Sequence, residues 1–132
     1  MAGKIIADTI ETGAGADIPT SYVVNGSAKA WADIIGAGTP SVANSSNVTS
    51  LTDNGTGDTT ISFTNSLDSV NYSIAGLSGG QSGVYWATAG INKYTGASSS
   101  CRVLRGYTVS FGGGATNFDY TELDFMLHGD LA

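Results

Sequence analysis

Apolar and polar residues alternate most clearly over Ser46 to Phe63, SNVTSLTDNGTGDTTISF, where Val48, Leu51, Ile61 and Phe63 stand among Ser, Thr and Asn. This is the pattern of two half-buried strands. Asp53-Asn-Gly-Thr-Gly-Asp58 between them is turn chemistry, because Asn and Gly accept the positive φ of tight connections. Similar short segments recur on both sides. Lys4 to Ile10 is β-prone, Glu11 to Asp17 is a flexible run, and Ser21 to Val24 reads as a strand closed by Asn25-Gly26. Val42-Ala43 is a short extended piece, and Asn71 to Ala75 a strand followed by a glycine and serine loop over Gly76 to Gly83. Val84 to Ala89 and Cys101 to Phe111 are the longest apolar strands and flank a loop over Tyr94 to Ser100. Gly112 to Gly114 is a further loop, and Glu122 to His128 is the last strand.

Ser27 to Ile35 is ambiguous. Ala28, Trp31, Ala32 and Ile35 fit a helical stripe that Ser27 could cap. The alternative is a strand, which puts Trp31 on one face with Lys29 and Asp33. Periodicity leans slightly to the helix, the β-rich surroundings to the strand. The whole pattern predicts an all-β fold, an antiparallel β-sandwich of jelly-roll or Greek-key type. A short extended N-terminal segment, residues 1–24, precedes a knob over residues 25–132. That segment is short of core of its own, so it is expected to pair with another chain or dock on a larger body.

Composition narrows the picture. Of 132 residues, 41% are hydrophobic, 12% charged, and 19 are glycine. Ordinary soluble domains are about 25% charged and about 7% glycine. Solubility therefore rests on hydroxyls and amides, as on surfaces that pack against other copies or face carbohydrate. The net charge of −6, with five basic residues, argues against nucleic acid, which requires a basic stripe to displace counterions. No stretch of 18 apolar residues occurs, so no membrane insertion is expected, and the first residues do not read as a secretory leader. One cysteine excludes an intrachain disulfide.

Candidate chemistry is sparse. His128 is the only histidine, and no Gly-x-Ser-x-Gly elbow occurs; a strand-end histidine is the simpler reading. Cys101 beside Arg102 reads as a buried thiol. Asp119, Glu122 and Asp124 could pair for glycoside hydrolysis, but Glu122 and Asp124 fit a solvated strand face. Asp53 and Asp58 lack the spacing of a calcium loop and read as turn caps. No catalytic residue, metal ligand or cofactor is assigned, and the chain is expected not to be an enzyme. Aromatics beside Ser and Asn can form sugar platforms by ring stacking. Trp31 is expected in the core, whereas Tyr85, Trp86 and Tyr94 stay open between core and glycan contact.

Ile18-Pro-Thr-Ser-Tyr-Val-Val-Asn-Gly-Ser-Ala-Lys-Ala-Trp31, Ser46 to Asp58, and Asn71-Tyr72 together resemble a module recurrent in tailed-bacteriophage virion proteins, often at tail-fibre ends. Ile6-Ala-Asp-Thr-Ile10 resembles their lead-in, while Ala32-Asp-Ile-Ile35 departs from the polar strand usual after the Trp. The resemblance covers about half the chain. It implies a non-enzymatic homotrimeric virion surface protein, made in the bacterial host cytoplasm. Such a protein would be a short tail fibre or tail-tip knob contacting host-surface glycan; the alternatives are a capsid decoration or head-fibre protein, or a carbohydrate-binding module. On this reading Ile5, Ile6 and Ile10 attach the chain to other virion proteins.

Overall fold

The computed structural model describes residues 7–79, 89–90, 92–108 and 115–130, with side chains at 7–79, 95–106 and 116–130. Among the described residues the chain is mostly strand with one short helix, and its sheets are antiparallel: an all-β fold. In chain order the elements are β1 (Thr9–Glu11), β2 (Asp17–Pro19), α1 (Thr20–Gly26), β3 (Ala30–Ile35), β4 (Ser41–Ser46), β5 (Val48–Gly55) and β6 (Asp58–Phe63). There follow β7 (Ser73–Gly79), β8 (Ala89–Gly90), β9 (Asn92–Ala97), β10 (Ser100–Leu104), β11 (Gly106–Thr108), β12 (Ala115–Asn117) and β13 (Glu122–His128). No helix among the described residues is long and apolar enough to cross a membrane.

Two sheets carry the core. One has the order β4-β3-β13-β7-β8, the other β5-β6-β10-β9; β1-β2 and β11-β12 are separate two-stranded ribbons. Ala30, Ala32 and Ile34 of β3 and Leu123, Phe125 and Leu127 of β13 point inward from the first sheet. Ile61 and Phe63 of β6 and Cys101 and Val103 of β10 join them in one cluster, with Leu67 and Tyr72 from the connections. Burying each large apolar side chain contributes about 1.5–3 kcal/mol. The edge strands are blunted by bulges. Ala43 in β4, and Thr49 and Asn54 in β5, are extra residues with no direct partner in the register. Such bulges twist an edge out of line for pairing with another strand.

The expected hairpin at Ser46 to Phe63 is present as β5 and β6, but its turn is only Thr56-Gly57, with Gly57 at φ 66°. Asp53 caps the turn by accepting the Gly55 N–H at 2.9 Å, and Asp58, buried at the start of β6, accepts from Asn54 Nδ2 across it at 3.2 Å. Ser27 to Ile35 resolves as strand β3, in which Ala30, Ala32 and Ile34 are buried and Trp31, Asp33 and Ile35 exposed. Trp31, expected in the core, is 38% exposed on the outer face. The small alanines are what face the opposite sheet, and the Trp shares the outward face with an acid, as strict alternation requires.

Ser21 to Val24 is helix, not strand. Pro19 (φ −56°) precedes α1, and Thr20 anchors the start by donating from its backbone N–H to Asp8 O at 2.8 Å. A lone extended segment there would leave its backbone groups without a ladder; about two helical turns satisfy part of them locally. The Glu11 to Asp17 run is a closed hairpin turn rather than a flexible one, held by Thr12 N–H to Ala16 O at 2.8 Å and Ala16 N–H to Thr12 Oγ1 at 3.1 Å.

Gly76 to Gly79, expected as loop, continues β7, because its backbone is paired to β13 from Ser73 to Gly79. Likewise Tyr94 to Ala97, expected as loop, lies in β9, which turns at Ser98-Ser99 into β10. The long strand expected over Cys101 to Phe111 is interrupted at Arg105, where the chain leaves β10 and enters β11. Gly112 to Gly114 and most of Val84 to Ala89 lie outside the described residues.

Candidate functional site

The sequence-expected contacts fall in different places. Ile5, Ile6, Tyr85 and Trp86 lie outside the described residues. The backbone of Tyr94 is the extra residue of a bulge in β9, opposite the step from Arg102 to Val103. Ile10 is exposed in β1. Cys101 is fully buried and not in a disulfide. Its neighbour Tyr72 donates from its hydroxyl to Ser100 O at 3.0 Å, and burial first, then a hydrogen bond with Cys101, raises the phenol pKa. His128 ends β13, with Nε2 3.3 Å from Met126 Sδ. Glu122 and Asp124 share the exposed face of β13, and Asp124 stands opposite Asp33 of β3. Asp119 is not directed to them; its Oδ1 accepts the Gly57 N–H at 2.7 Å.

Among the described residues two cations are more than nine-tenths buried, one beyond each end of β3. At the C-terminal end, Arg105 is 2% exposed. Its guanidinium donates to Gly36 O at 3.3 Å and Thr59 Oγ1 at 3.1 Å, and its Nη2 lies 3.6 Å from Asp119 Oδ1. Among the described residues its Nε has no acceptor. Burial lowers the guanidinium pKa, opposed by Asp119, Asp53 and Asp58. The surrounding backbone closes over it: Arg105 N–H reaches Gly57 O at 2.8 Å, and Phe118 N–H reaches Arg105 O at 3.1 Å. A Cβ at Gly36 would strike both the guanidinium and the Tyr120 carbonyl, so only glycine fits. This end is sealed. Three residues earlier, Arg102 pairs through two nitrogens with Asp58, and this hydrogen bonding foremost holds the Asp58 carboxyl below its ordinary range.

At the N-terminal end, Lys29 is 8% exposed. Its Nζ donates to Val24 O at the end of α1 and to Ser27 Oγ at 3.1 Å. Both acceptors are neutral, and among the described residues no carboxylate lies within ion-pair distance of Lys29. The helix carbonyls supply the negative end of the helix dipole, a partial compensation.

Lys29 borders an open cavity of about 390 Å³, where the chain crosses from β4 to β5. Ser27, Ser46, Asn47, Thr64 and Asn65 line it with hydroxyls and amides. Asn47 builds the floor. It is the only non-glycine residue with positive φ (56°) among those described, a conformation asparagine tolerates. Its Nδ2 donates to Lys29 O at 2.9 Å and Asn65 O at 3.1 Å, and its Oδ1 accepts the Asn65 N–H at 2.7 Å. One amide thus ties Lys29 and Asn65 to the β4–β5 crossover and holds this part of the lining together.

The lining contains a cation, hydroxyls and amides, and among the described residues no carboxylate, imidazole or thiol. Such a lining can hold a polar ligand through hydrogen bonds and one positive charge. Comparison with family models, with curated proteins and with solved structures finds no match to this chain. Neither Lys29 nor Asn47 was marked by sequence reasoning. Lys29 stood in a segment of undecided type, and Asn47 was one of many asparagines; only its tolerance of positive φ at a strand-to-strand junction could have singled it out.

Proposed function

We propose that this chain is a non-enzymatic surface component of a tailed-bacteriophage virion, a small tail fibre or tail-tip knob. Residues 25–132 form a β-sandwich knob of jelly-roll or Greek-key type that contacts host-surface carbohydrate. Residues 1–24 attach it to other virion proteins and hold it as a homotrimer. The observation that carries this reading is the apolar surface of the N-terminal region. No residue of α1 is buried, yet Tyr22 is 70% exposed and Val23 and Val24 about half exposed, with Ile10 and Ile18 exposed on the ribbon beside it. Apolar side chains gathered on one short segment mark a contact with another chain. The hydroxyl- and amide-rich composition supports display on an assembled surface, and the virion assignment rests on the resemblance of Ile18 to Trp31 and Ser46 to Asp58.

Light scattering on the full chain tests the reading. A mass of three chains is expected, and Tyr22→Asp with Val23→Asp should convert it to monomer while the far-ultraviolet β signal is kept. A stable wild-type monomer overturns the trimer. Crosslinking from the first twenty residues in purified particles should reach tail proteins; crosslinks to capsid alone would move the chain to a head-fibre role.

A further inference from the structure

We propose that the cavity at the β4–β5 crossover binds a carboxylate-bearing sugar, a uronic or sialic acid unit, with Lys29 pairing its carboxylate. The inference deepens the carbohydrate contact proposed above and rests on that reading only for the origin of the sugar. The argument begins with charge. Lys29 is a buried ammonium whose Nζ has, among the described residues, two neutral acceptors, Val24 O and Ser27 Oγ, which leaves one of its three N–H donors for a ligand. Burying a cation without a counter-ion is costly, and a chain of net charge −6 places no described carboxylate against this one. The cavity it borders is the route by which an anion can reach it.

The remaining lining selects the kind of anion. Ser46, Thr64 and the amide side chain of Asn65 present neutral donors and acceptors, which match the hydroxyls of a sugar ring. A phosphate monoester carries nearly two charges and would call for a second cation, which the described lining lacks. A cavity of about 390 Å³ suits one or two sugar units, near the lower end of small-ligand pockets, about 300–1,000 Å³. Asn47 fixes the floor before binding, so little order is lost when the ligand enters.

Amide chemical shifts of the full chain test the proposal, titrated separately with sodium glucuronate, N-acetylneuraminate, methyl glucoside and acetate. Saturable shifts confined to Ala28, Asn47, Thr64 and Asn65 are expected with the acidic sugars, and at least tenfold weaker binding with the neutral sugar and with acetate. Lys29→Gln keeps a donor for Val24 O but removes the charge, and should weaken the acidic sugars at least tenfold. Asn65→Ala leaves the Lys29 contacts in place and should weaken them several-fold, which keeps the proposal testable if Lys29→Gln fails to fold. A uronic-acid polysaccharide binding more tightly than its monosaccharide would identify a surface polymer as the source; equal binding would identify the free sugar. The site is disproved by an absence of saturable shifts, by acetate binding as well as the sugars, or by unchanged binding in Lys29→Gln. Light scattering on the same samples separates the two readings. A monomer that binds the acidic sugar removes the trimer and keeps the site, whereas a trimer that does not bind it removes the site alone.

Discussion

Beyond one end of β3 sits Arg105 and beyond the other Lys29, both more than nine-tenths buried, yet the two are held in opposite ways. Arg105 is enclosed. Gly36 O, Thr59 Oγ1 and Asp119 surround it, and the Gly36 and Gly57 backbones pack so closely that a Cβ at either would collide. Among the described residues Lys29 has only a helix-end carbonyl and a serine hydroxyl as acceptors, and it borders a polar cavity. A buried cation that is walled in and faced by a carboxylate belongs to the architecture. One that faces no described carboxylate and borders an opening is where we propose that a ligand pairs.

The strongest way to break this contrast is to remove Arg105. Arg105→Ala should lower stability by about 3 kcal/mol, because it leaves a void and strands the Gly36 carbonyl and Thr59 hydroxyl that it serves. Asp119 is about one-third exposed, so water can take over its charge and the full cost of an orphaned buried ion does not apply. Arg105→Met, which fills the space without the charge, should lose about half as much. Urea midpoints for the two variants measure the difference, and equal losses would assign Arg105 to polar contacts rather than to packing.

Asp58→Asn sharpens the comparison by probing the ion pair that lies between the enclosed cation and the surface. Arg102 is more than a third exposed while Asp58 is mostly buried, so the pair should contribute about 1 kcal/mol. Its pH dependence has a definite sign. The folded carboxyl titrates below its unfolded value of about 3.9, so the contribution is complete above that value and is lost as pH falls through the lower folded pKa. Acid unfolding curves of wild type and Asp58→Asn should therefore differ at neutral pH and converge at the acid end. Curves that stay parallel throughout would remove the Asp58 carboxylate as the source.

How much of this was legible depends on whether local pattern or distant partners decided each element. β13 was readable because Leu123, Phe125 and Leu127 alternate and are buried together, and the β5–β6 hairpin because Asn and Gly mark its turn between two β-prone runs. At β3 the alternation was present but argued against, since it set Trp31 and Asp33 on one face; the structure has them there, with two alanines inward. The stretch Gly76 to Gly79 has loop composition and becomes strand because β13 pairs along all of it, information that lies some 45 residues away in the register. The site was hidden for the same reason. Lys29, Asn47 and Thr64 are separated in sequence, and only the crossover between sheets assembles them.

The smallest expected effect is the most discriminating. Lys29→Gln should change stability by only about 0.5 kcal/mol, the scale of one charge at a helix C-terminus, since the amide can still donate to Val24 O. Relief from burying an unpaired charge offsets part of even that loss. A thermal melt shifted by about a degree or two would mean that the buried ammonium contributes little to the fold, as the proposed ligand role requires. A loss of 2 kcal/mol or more, near that of Arg105→Ala, would make Lys29 a second staple, and the two ends of β3 would be alike.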